Sequence, residues 1–520
     1  TDAIFLFGAN PVKGHPVTGA KIKQAFMKGV TSIVVDPIKT SLAELADYHL
    51  QIRPGTNVAI LNMLAFYIIK ENLVNQHFID SYTEKYEEFK NHVETLDMDK
   101  LETLTSVSKI LVKKAAIAYA KANRAMEFHG LGVTEHFQGS KTVMLLSNLA
   151  MMTGNIGRNG VGLNPLRGQN NVQGAADMGV QPHQGAGYMD INKPEIQEYY
   201  AKKYGVLKMP EQEGLKIPQM LDAAIDGKLK ALYIMGEDTI MTDPNTNHSI
   251  KAFENLDFIV VQELFMTATT KMADVVLPAS SYFEKNGTFT NGERRVQRVN
   301  KVIEPIGNTK PDGQIIIDVM SRLGYNQPTG LTYDAAKIIE EIADVIPFMK
   351  GLTWERLGEN GLQWPISEDG TDTKMLHQNG AFKKGFGTFH HFDFEETPEI
   401  VSHGKKYPFI LTTGRELEHY NSGTMTRRTD NQQILSKDVL EVHPRDAKEK
   451  GIQDEELVRI FSDRGSVEIP IKYSKSVKRG VLRTTFHQPE VFINIITGSV
   501  GDKETMTPEY KVVAVDFEKI

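Results

Sequence analysis

The chain predicts an α/β protein in which two βαβ units each build a parallel sheet and a β-rich domain follows at the C-terminal end. Three observations carry this. Short apolar runs ending in glycine alternate with helical patterns near the start, the same grammar returns about 228 residues later, and past Tyr407 the chain becomes short strands divided by turn signals. With 520 residues, 40% of them hydrophobic, there is enough chain for several cores.

In order, residues 4–7 form an apolar run stopped at Gly8, and a Pro-containing loop leads to a helical pattern over 15–27 with Ala20, Ile22, Ala25 and Phe26 facing inward. Residues 32–35 make a second buried strand, stopped by Asp36-Pro37 because proline lacks the amide a ladder needs. Right-handed crossovers turn such units into parallel sheets, with ligands beyond the carboxyl strand ends. The stretch 58–69 is interrupted by Asn62 and falls short of the roughly 18–20 residues needed to cross a bilayer, so it reads as a buried helix. Helical patterns follow over 115–122 and 142–152, the second ended by Gly154 and Gly157, and a loop rich in Gly, Asn and Gln is expected over 160–187.

In the second unit a strand over 231–235 ends at Gly236, a polar loop holds Asp243-Pro244, a helix covers about 249–253, and a strand from 258 ends in Gln262-Glu263. Gly8 to Asp36 spans 28 positions and Gly236 to Glu263 spans 27, and eleven positions past each acid stands Ala-Asp, as Ala46-Asp47 and Ala273-Asp274. A helix is expected over 334–349, and a loop-like bridge over 351–387 carries both Trp residues. Strands over 409–412, 457–461, 466–471 and 512–517, with Asp463-Arg464-Gly465 as a hairpin turn, point to a closing barrel.

The absence of Cys removes disulfides, cysteine-ligated zinc or iron–sulfur clusters and thiol nucleophiles from these residues. A formal charge of -7 without a basic block argues against a nucleic-acid partner. With no Met start and no signal peptide, the chain reads as the later part of something longer. A glycine ending the first strand lets a phosphate reach backbone amides, and an acid ending the next accepts hydrogen bonds from ribose or guanine. Yet Gly8-Ala9-Asn10-Pro11-Val12-Lys13-Gly14 is not the G-x-G-x-x-G of a nicotinamide site. The most informative segment is Asn164-Pro165-Leu166-Arg167-Gly168-Gln169-Asn170-Asn171-Val172-Gln173-Gly174, where one guanidinium among amides and glycines offers a planar fork for a small carboxylate or oxyanion.

The sequence resembles the molybdenum- or tungsten-dependent formate dehydrogenases of the dimethyl sulfoxide reductase superfamily from end to end. The likeness lies in Phe7-Gly8-Ala9-Asn10-Pro11, Arg53-Pro54-Gly55-Thr56-Asn57, Gly130-Leu131-Gly132-Val133-Thr134, the Arg167 segment and Met235-Gly236-Glu237-Asp238. It continues through Ala273-Asp274-Val275-Val276-Leu277-Pro278, Gly287-Thr288-Phe289-Thr290-Asn291, Glu293-Arg294-Arg295 and Pro508-Glu509-Tyr510-Lys511.

The resemblance implies two Rossmann-like domains, 1–169 and 170–330, each holding one of two molybdopterin guanine dinucleotides on a single Mo or W, then a bridging segment over 331–404 and a capping β-barrel over 405–520. It assigns Gly8, Asn10, Asp36, Pro54, Gly55 and Asn57 to one dinucleotide and Gly236, Asp238, Thr242, Gln262, Glu263 and Asp312 to the other. Gly132, Glu135 and Gln169 are expected near the pterins, and Arg415, Glu416, His419, Tyr420, Asn421, His487, Tyr510 and Lys511 to close over both cofactors. Arg167 is the expected catalytic residue, anchoring formate. The Cys or selenocysteine metal ligand, followed by His, and a [4Fe-4S] cluster are expected upstream of Thr1, so no metal ligand is expected here.

The implied reaction is anaerobic formate oxidation to carbon dioxide, two electrons passing to an iron–sulfur cluster and an electron-transfer partner subunit or domain. A cytoplasmic site is expected, with no nucleic acid and no transmembrane segment, and the 520 residues alone are expected to be inactive. Two other readings stand beside this one. A related nitrate reductase is disfavoured by Arg167 in its amide setting. A metal-free scaffold, like the large iron–sulfur subunit of respiratory NADH dehydrogenase, is disfavoured by retention of both nucleotide units.

Overall fold

The structure, a computed structural model, describes residues 1–325 and 332–520; the domain boundary expected at 330/331 lies outside the described residues. By compactness the chain forms two units. The first comprises Thr1–Leu166, Met241–Asn247 and Met375–Ile520, the second Arg167–Ile240 and His248–Lys374.

The first unit opens with β1 (Ala3–Phe7), α1 (Pro16–Met27), β2 (Thr31–Val35), β3 (Tyr48–Leu50), α2 (Asn57–Lys70), α3 (Lys109–Lys121), β4 (Ala125–His129), α4 (Gly139–Met152) and β5 (Gly162–Pro165). Its five strands are parallel, in the order β3-β2-β1-β4-β5. The strand order reverses between β1 and β4, which opens a crevice at their carboxyl ends. Every residue of β1 is buried, as a parallel strand covered on both faces requires. Pro16 starts α1, where its missing N–H is no loss. The expected buried helix is α2, whose Asn62 amide is satisfied by the Phe392 carbonyl at 2.9 Å.

In the second unit α5 (Val172–Asp177) precedes β6 (Ala231–Met235). After α6 (Thr246–Glu254) come β7 (Phe258–Glu263) and β8 (Val275–Pro278), which complete a parallel sheet of order β8-β7-β6. An antiparallel sheet joins β9 (Gly287–Thr290) and β10 (Arg295–Val299) to β11 (Leu362–Gln363), with α7 (Asp312–Arg322) and α8 (Ala335–Val345) between them in sequence. The repeated Ala-Asp has a structural explanation. Asp47 accepts from the Ser32 amide in β2 at 2.8 Å, and Asp274 accepts from the Ile259 amide in β7 at 2.7 Å. Each carboxylate ties the third strand to the second residue of the middle one.

One sequence expectation is corrected here. The loop over 160–187 contains β5 and α5, and the inward face of α5 carries Gln173, Gly174, Ala176 and Asp177, so it shows no apolar period. The loop-like segment over 351–387 passes from the second unit to the first between Lys374 and Met375, and its Leu352, Leu357 and Ile366 are buried with Tyr200, Ile339 and Ile346 in the core of the second unit.

The last strands are β12 (Phe409–Thr413), β13 (Leu440–Val442), β14 (Leu457–Ser462), β15 (Gly465–Tyr473), β16 (Val481–Thr484) and β17 (Val513–Lys519). They form the expected closed barrel, in the order β12-β16-β13-β15-β14-β17. Its hairpin closes over Asp463 and Arg464, with Gly465 already paired to Ser462. Among the described residues no helix is long and apolar enough to cross a membrane, and no group of three or more His, Cys, Asp or Glu side chains could hold a metal ion.

Candidate functional site

At the carboxyl ends of β1 and β4 two glycines meet. The Gly132 amide donates to the Gly8 carbonyl at 2.9 Å, and a Cβ on Gly8, whose φ is +54°, would sit 2.5 Å from the Gly132 carbonyl carbon. Only glycine fits either place. Asn57, at the start of α2, donates its side-chain amide to the Gly132 carbonyl at 3.1 Å, so Gly8, Asn57 and Gly132 come together. The Asn10 side-chain oxygen is buried with no hydrogen-bond partner among the described residues. Gly55 has φ +90° and packs so that a Cβ would be 3.2 Å from Val512 of the barrel; Pro54 precedes it in the same loop.

Asp36 ends β2 and turns one oxygen to the Ile38 amide at 2.8 Å. Burial pushes its carboxyl up to about 7, opposed by that bond and by the charges of Arg483 and Lys511. The barrel brings those charges. Lys511 pairs with Glu135 at 2.8 Å and donates to the Thr413 carbonyl at 3.1 Å. Glu416 takes Arg483 at 2.8 Å and also Lys13 of the glycine loop. The Glu416 amide donates to His487 Nε2 at 3.2 Å, and His487 Nδ1 donates to the Asn421 carbonyl at 2.6 Å. The ring is therefore neutral, its pKa drawn down to about 4 by burial. Arg415 donates to the Asn421 side chain at 2.6 Å.

His419 is placed differently. Both its nitrogens are engaged within the barrel domain, by Thr426 Oγ1 at 3.1 Å and the Leu435 carbonyl at 2.7 Å, and its ring is buried. Tyr420 is exposed, while the Tyr510 hydroxyl donates to the Thr242 carbonyl at 2.9 Å within the first unit. Sequence reasoning missed Lys13 and Arg483. Neither lies in a recognisable pattern, since their meeting on Glu416 spans much of the chain.

In the second unit Gly236, with φ +66°, has no atom within 4 Å of where a Cβ would lie. Gln262 is buried, accepts from the Tyr233 hydroxyl at 2.6 Å and donates to Asp312 at 2.7 Å, and Asp312 also pairs with Lys285. Asp238 takes the Thr269 amide at 2.9 Å and its hydroxyl at 2.7 Å. Burial pushes the Glu263 carboxyl up, and the Asp238 and Asp312 charges add to this. Arg167 and Gln169 are exposed on the loop before α5, and Arg167 Nε donates to Gln173 at 3.0 Å.

A buried acceptor without a partner among the described residues, glycine backbone at the carboxyl ends of β1 and β4 and neighbouring lysine and arginine side chains are compatible with a phosphorylated group that also donates hydrogen bonds. The comparisons with known proteins agree. Residues 1–322 match the molybdopterin oxidoreductase family, and residues 409–514 match the molydopterin dinucleotide binding domain. The F420-dependent formate dehydrogenase 1 subunit alpha of Methanococcus maripaludis is 39% identical over 522 residues, covering 100% of this chain and 76% of that subunit. Formate dehydrogenase H of Escherichia coli is 37% identical over 529 residues, covering 100% of this chain and 73% of that protein. The structure of acetylene hydratase from Pelobacter acetylenicus superposes with a TM-score of 0.73 at 19% identity, over 99% of this chain and 78% of that one, which speaks for the fold. A match over most of the chain, relatives aligned along its whole length and a shared architecture lead to one conclusion: this chain belongs to the molybdopterin oxidoreductases.

Proposed function

We propose that the chain forms part of a formate dehydrogenase catalytic subunit that oxidises formate to carbon dioxide at a molybdenum or tungsten centre held by two pterin guanine dinucleotides. The observation that carries this is the exposed Arg167, set in a loop of amides and glycines in a chain that aligns along its whole length with two proteins named formate dehydrogenases. Gly8, Asn10, Asp36, Pro54, Gly55 and Asn57 would hold one dinucleotide, with the first-unit barrel residues above it. Gly236, Asp238, Thr242, Gln262, Glu263 and Asp312 would serve the other. When bound, the metal–pterin group would supply the two-electron acceptor, and an iron–sulfur cluster and a partner subunit or domain would take the electrons onward.

The chain's own part is positioning. The Arg167 guanidinium binds the carboxylate through paired N–H donors and fixes the direction of the C–H bond, which lowers the barrier through orientation and a preorganised charge. No general base from this chain is required. On this reading the Cys or selenocysteine metal ligand lies outside these residues, so the 520 residues alone do not turn over formate.

The test is Arg167→Lys in the full-length enzyme. It keeps the charge and removes the fork, so formate turnover should fall by at least about a hundredfold while metal and pterin contents stay at wild-type levels. Unchanged turnover would overturn the assignment of formate.

A further inference from the structure

Arg167 is held from behind by hydrogen bonds that run through Gln173 to Asp177. Helix α5 places Gln173 and Asp177 one turn apart on the same face. Asp177 is fully buried, and both its oxygens are occupied. Tyr188 donates its hydroxyl to Oδ1 at 2.6 Å, Gln173 Nε2 donates to the same oxygen at 2.9 Å, and Trp364 Nε1 donates to Oδ2 at 2.8 Å. The second Gln173 N–H goes to the Tyr188 oxygen at 2.8 Å. An ionised carboxylate only accepts, so the amide of Gln173 has one permitted orientation: its NH2 faces Asp177 and its carbonyl faces outward. That carbonyl takes the Nε–H of Arg167 at 3.0 Å.

We propose that Gln173 and Asp177 are positioning residues for Arg167, fixing the plane of its guanidinium so that a small monocarboxylate is received on its outer edge. This rests on the reading of Arg167 given above. The Nε–H is committed to Gln173, so the orientation of the Gln173 amide sets the plane in which the guanidinium lies. Asp177 supplies the reference that makes the orientation unique. Its carboxylate is pinned by an indole from the sheet-forming segment at Trp364 and by Tyr188, both on other parts of the second unit. Burial pushes the Asp177 carboxyl up, and the three donors and the Arg167 charge act against this. Gln169 and Asn170, the amides closer to Arg167 in sequence, are exposed, so the buried pair behind the loop is the part able to hold a fixed geometry.

The experiment uses the full-length enzyme with three readouts: the KM and kcat for formate, calorimetric binding of acetate as a carboxylate without a transferable hydrogen, and metal and pterin content. Asp177→Asn introduces a nitrogen that donates, so the Gln173 amide can turn over and present its NH2 to Arg167. The formate KM and the acetate dissociation constant should rise together by roughly ten- to a hundredfold, and kcat should fall by about tenfold because the direction of the C–H bond depends on the same guanidinium plane, with metal content intact. Tyr188→Phe removes one donor yet leaves the Gln173 orientation specified, and should shift both constants in the same direction by about two- to fivefold. It carries the test if Asp177→Asn fails to fold.

If the variants leave both constants unchanged while Arg167→Lys weakens both, the positioning role is wrong and the formate reading stands. If Arg167→Lys also changes neither, the formate reading itself has failed. A loss of metal content with unaltered constants in the remaining loaded enzyme would show that the network only stabilises the fold, and would likewise overturn the proposal.

Discussion

In the first βαβ unit the Gly8 amide donates to the Val35 carbonyl at 2.9 Å, and in the second the Gly236 amide donates to the Gln262 carbonyl at 2.9 Å. Both glycines have positive φ, and both units tie their middle strand to an aspartate before the third. Their surroundings are opposite. Gly8 is clamped against Gly132 and its partner acid Asp36 feels the charges of Arg483 and Lys511, whereas Gly236 is open and its partner acid Glu263 feels Asp238 and Asp312. Strand β1 is buried at every residue, while β6 alternates exposed and half-buried positions. The recurring residues therefore belong to the backbone of a βαβ unit, and what separates the two sites is supplied by neighbours far away in sequence.

The comparison breaks most readily at the glycines. Gly8→Ala forces a methyl into the Gly132 backbone on top of a left-handed conformation, and should cost about 3–5 kcal/mol in urea unfolding. Gly236→Ala meets no atom and should cost only about 1 kcal/mol. Equal losses would mean that the close approach at Gly8 is not real.

The next largest effect concerns the acids. A folded-state pKa of about 7 for Asp36 lies above the ordinary value of 3.8, so the folded protein binds the extra proton and loses stability as pH rises from about 4 to 7. Asp36→Asn keeps an acceptor for the Ile38 amide and removes this penalty. Without cofactor it should be more stable than the parent by about 2–4 kcal/mol at pH 8 and equal to it near pH 3.5. A stability difference that does not vary with pH would show that burial does not control this carboxyl.

The smallest contrast is between the strand ties. Asp47→Ala removes the acceptor of both the Ser32 amide and hydroxyl, and Asp274→Ala that of the Ile259 amide. Losses of about 1–3 kcal/mol are expected, larger at Asp47, with Asp→Asn at either position nearer to neutral.

The parts of the fold that were legible in the sequence are those with local causes. Proline at 16, the apolar runs before Gly8 and Gly236 and the hairpin at Asp463-Arg464 each announce their element within a few residues. The three-residue β13 and four-residue β16 lack such signals, because they are strands only by virtue of their barrel neighbours. Helix α5 was hidden since its inward face is polar and is satisfied by Tyr188 and by Trp364, which lies 187 positions along the chain from Asp177. At the site, Gly8, Asp36 and Arg167 stood out through spacing and residue type. Gly132 came only through family likeness, because nothing near it in sequence reveals that its backbone touches Gly8. The i,i+4 spacing of Gln173 and Asp177 was the one signal available for the network behind Arg167.

The contact between Gly8 and Gly132 also couples the fates of two distant codons. A Cβ at Gly132 would lie 2.6 Å from the Gly8 carbonyl oxygen, so each residue already forbids a side chain on the other. Once one is replaced and the strand ends have moved apart, the second replacement meets space that is already open, and the two costs should not add. Evolution would find neither glycine free to drift first, which makes the pair a single inherited character written at two places in the gene.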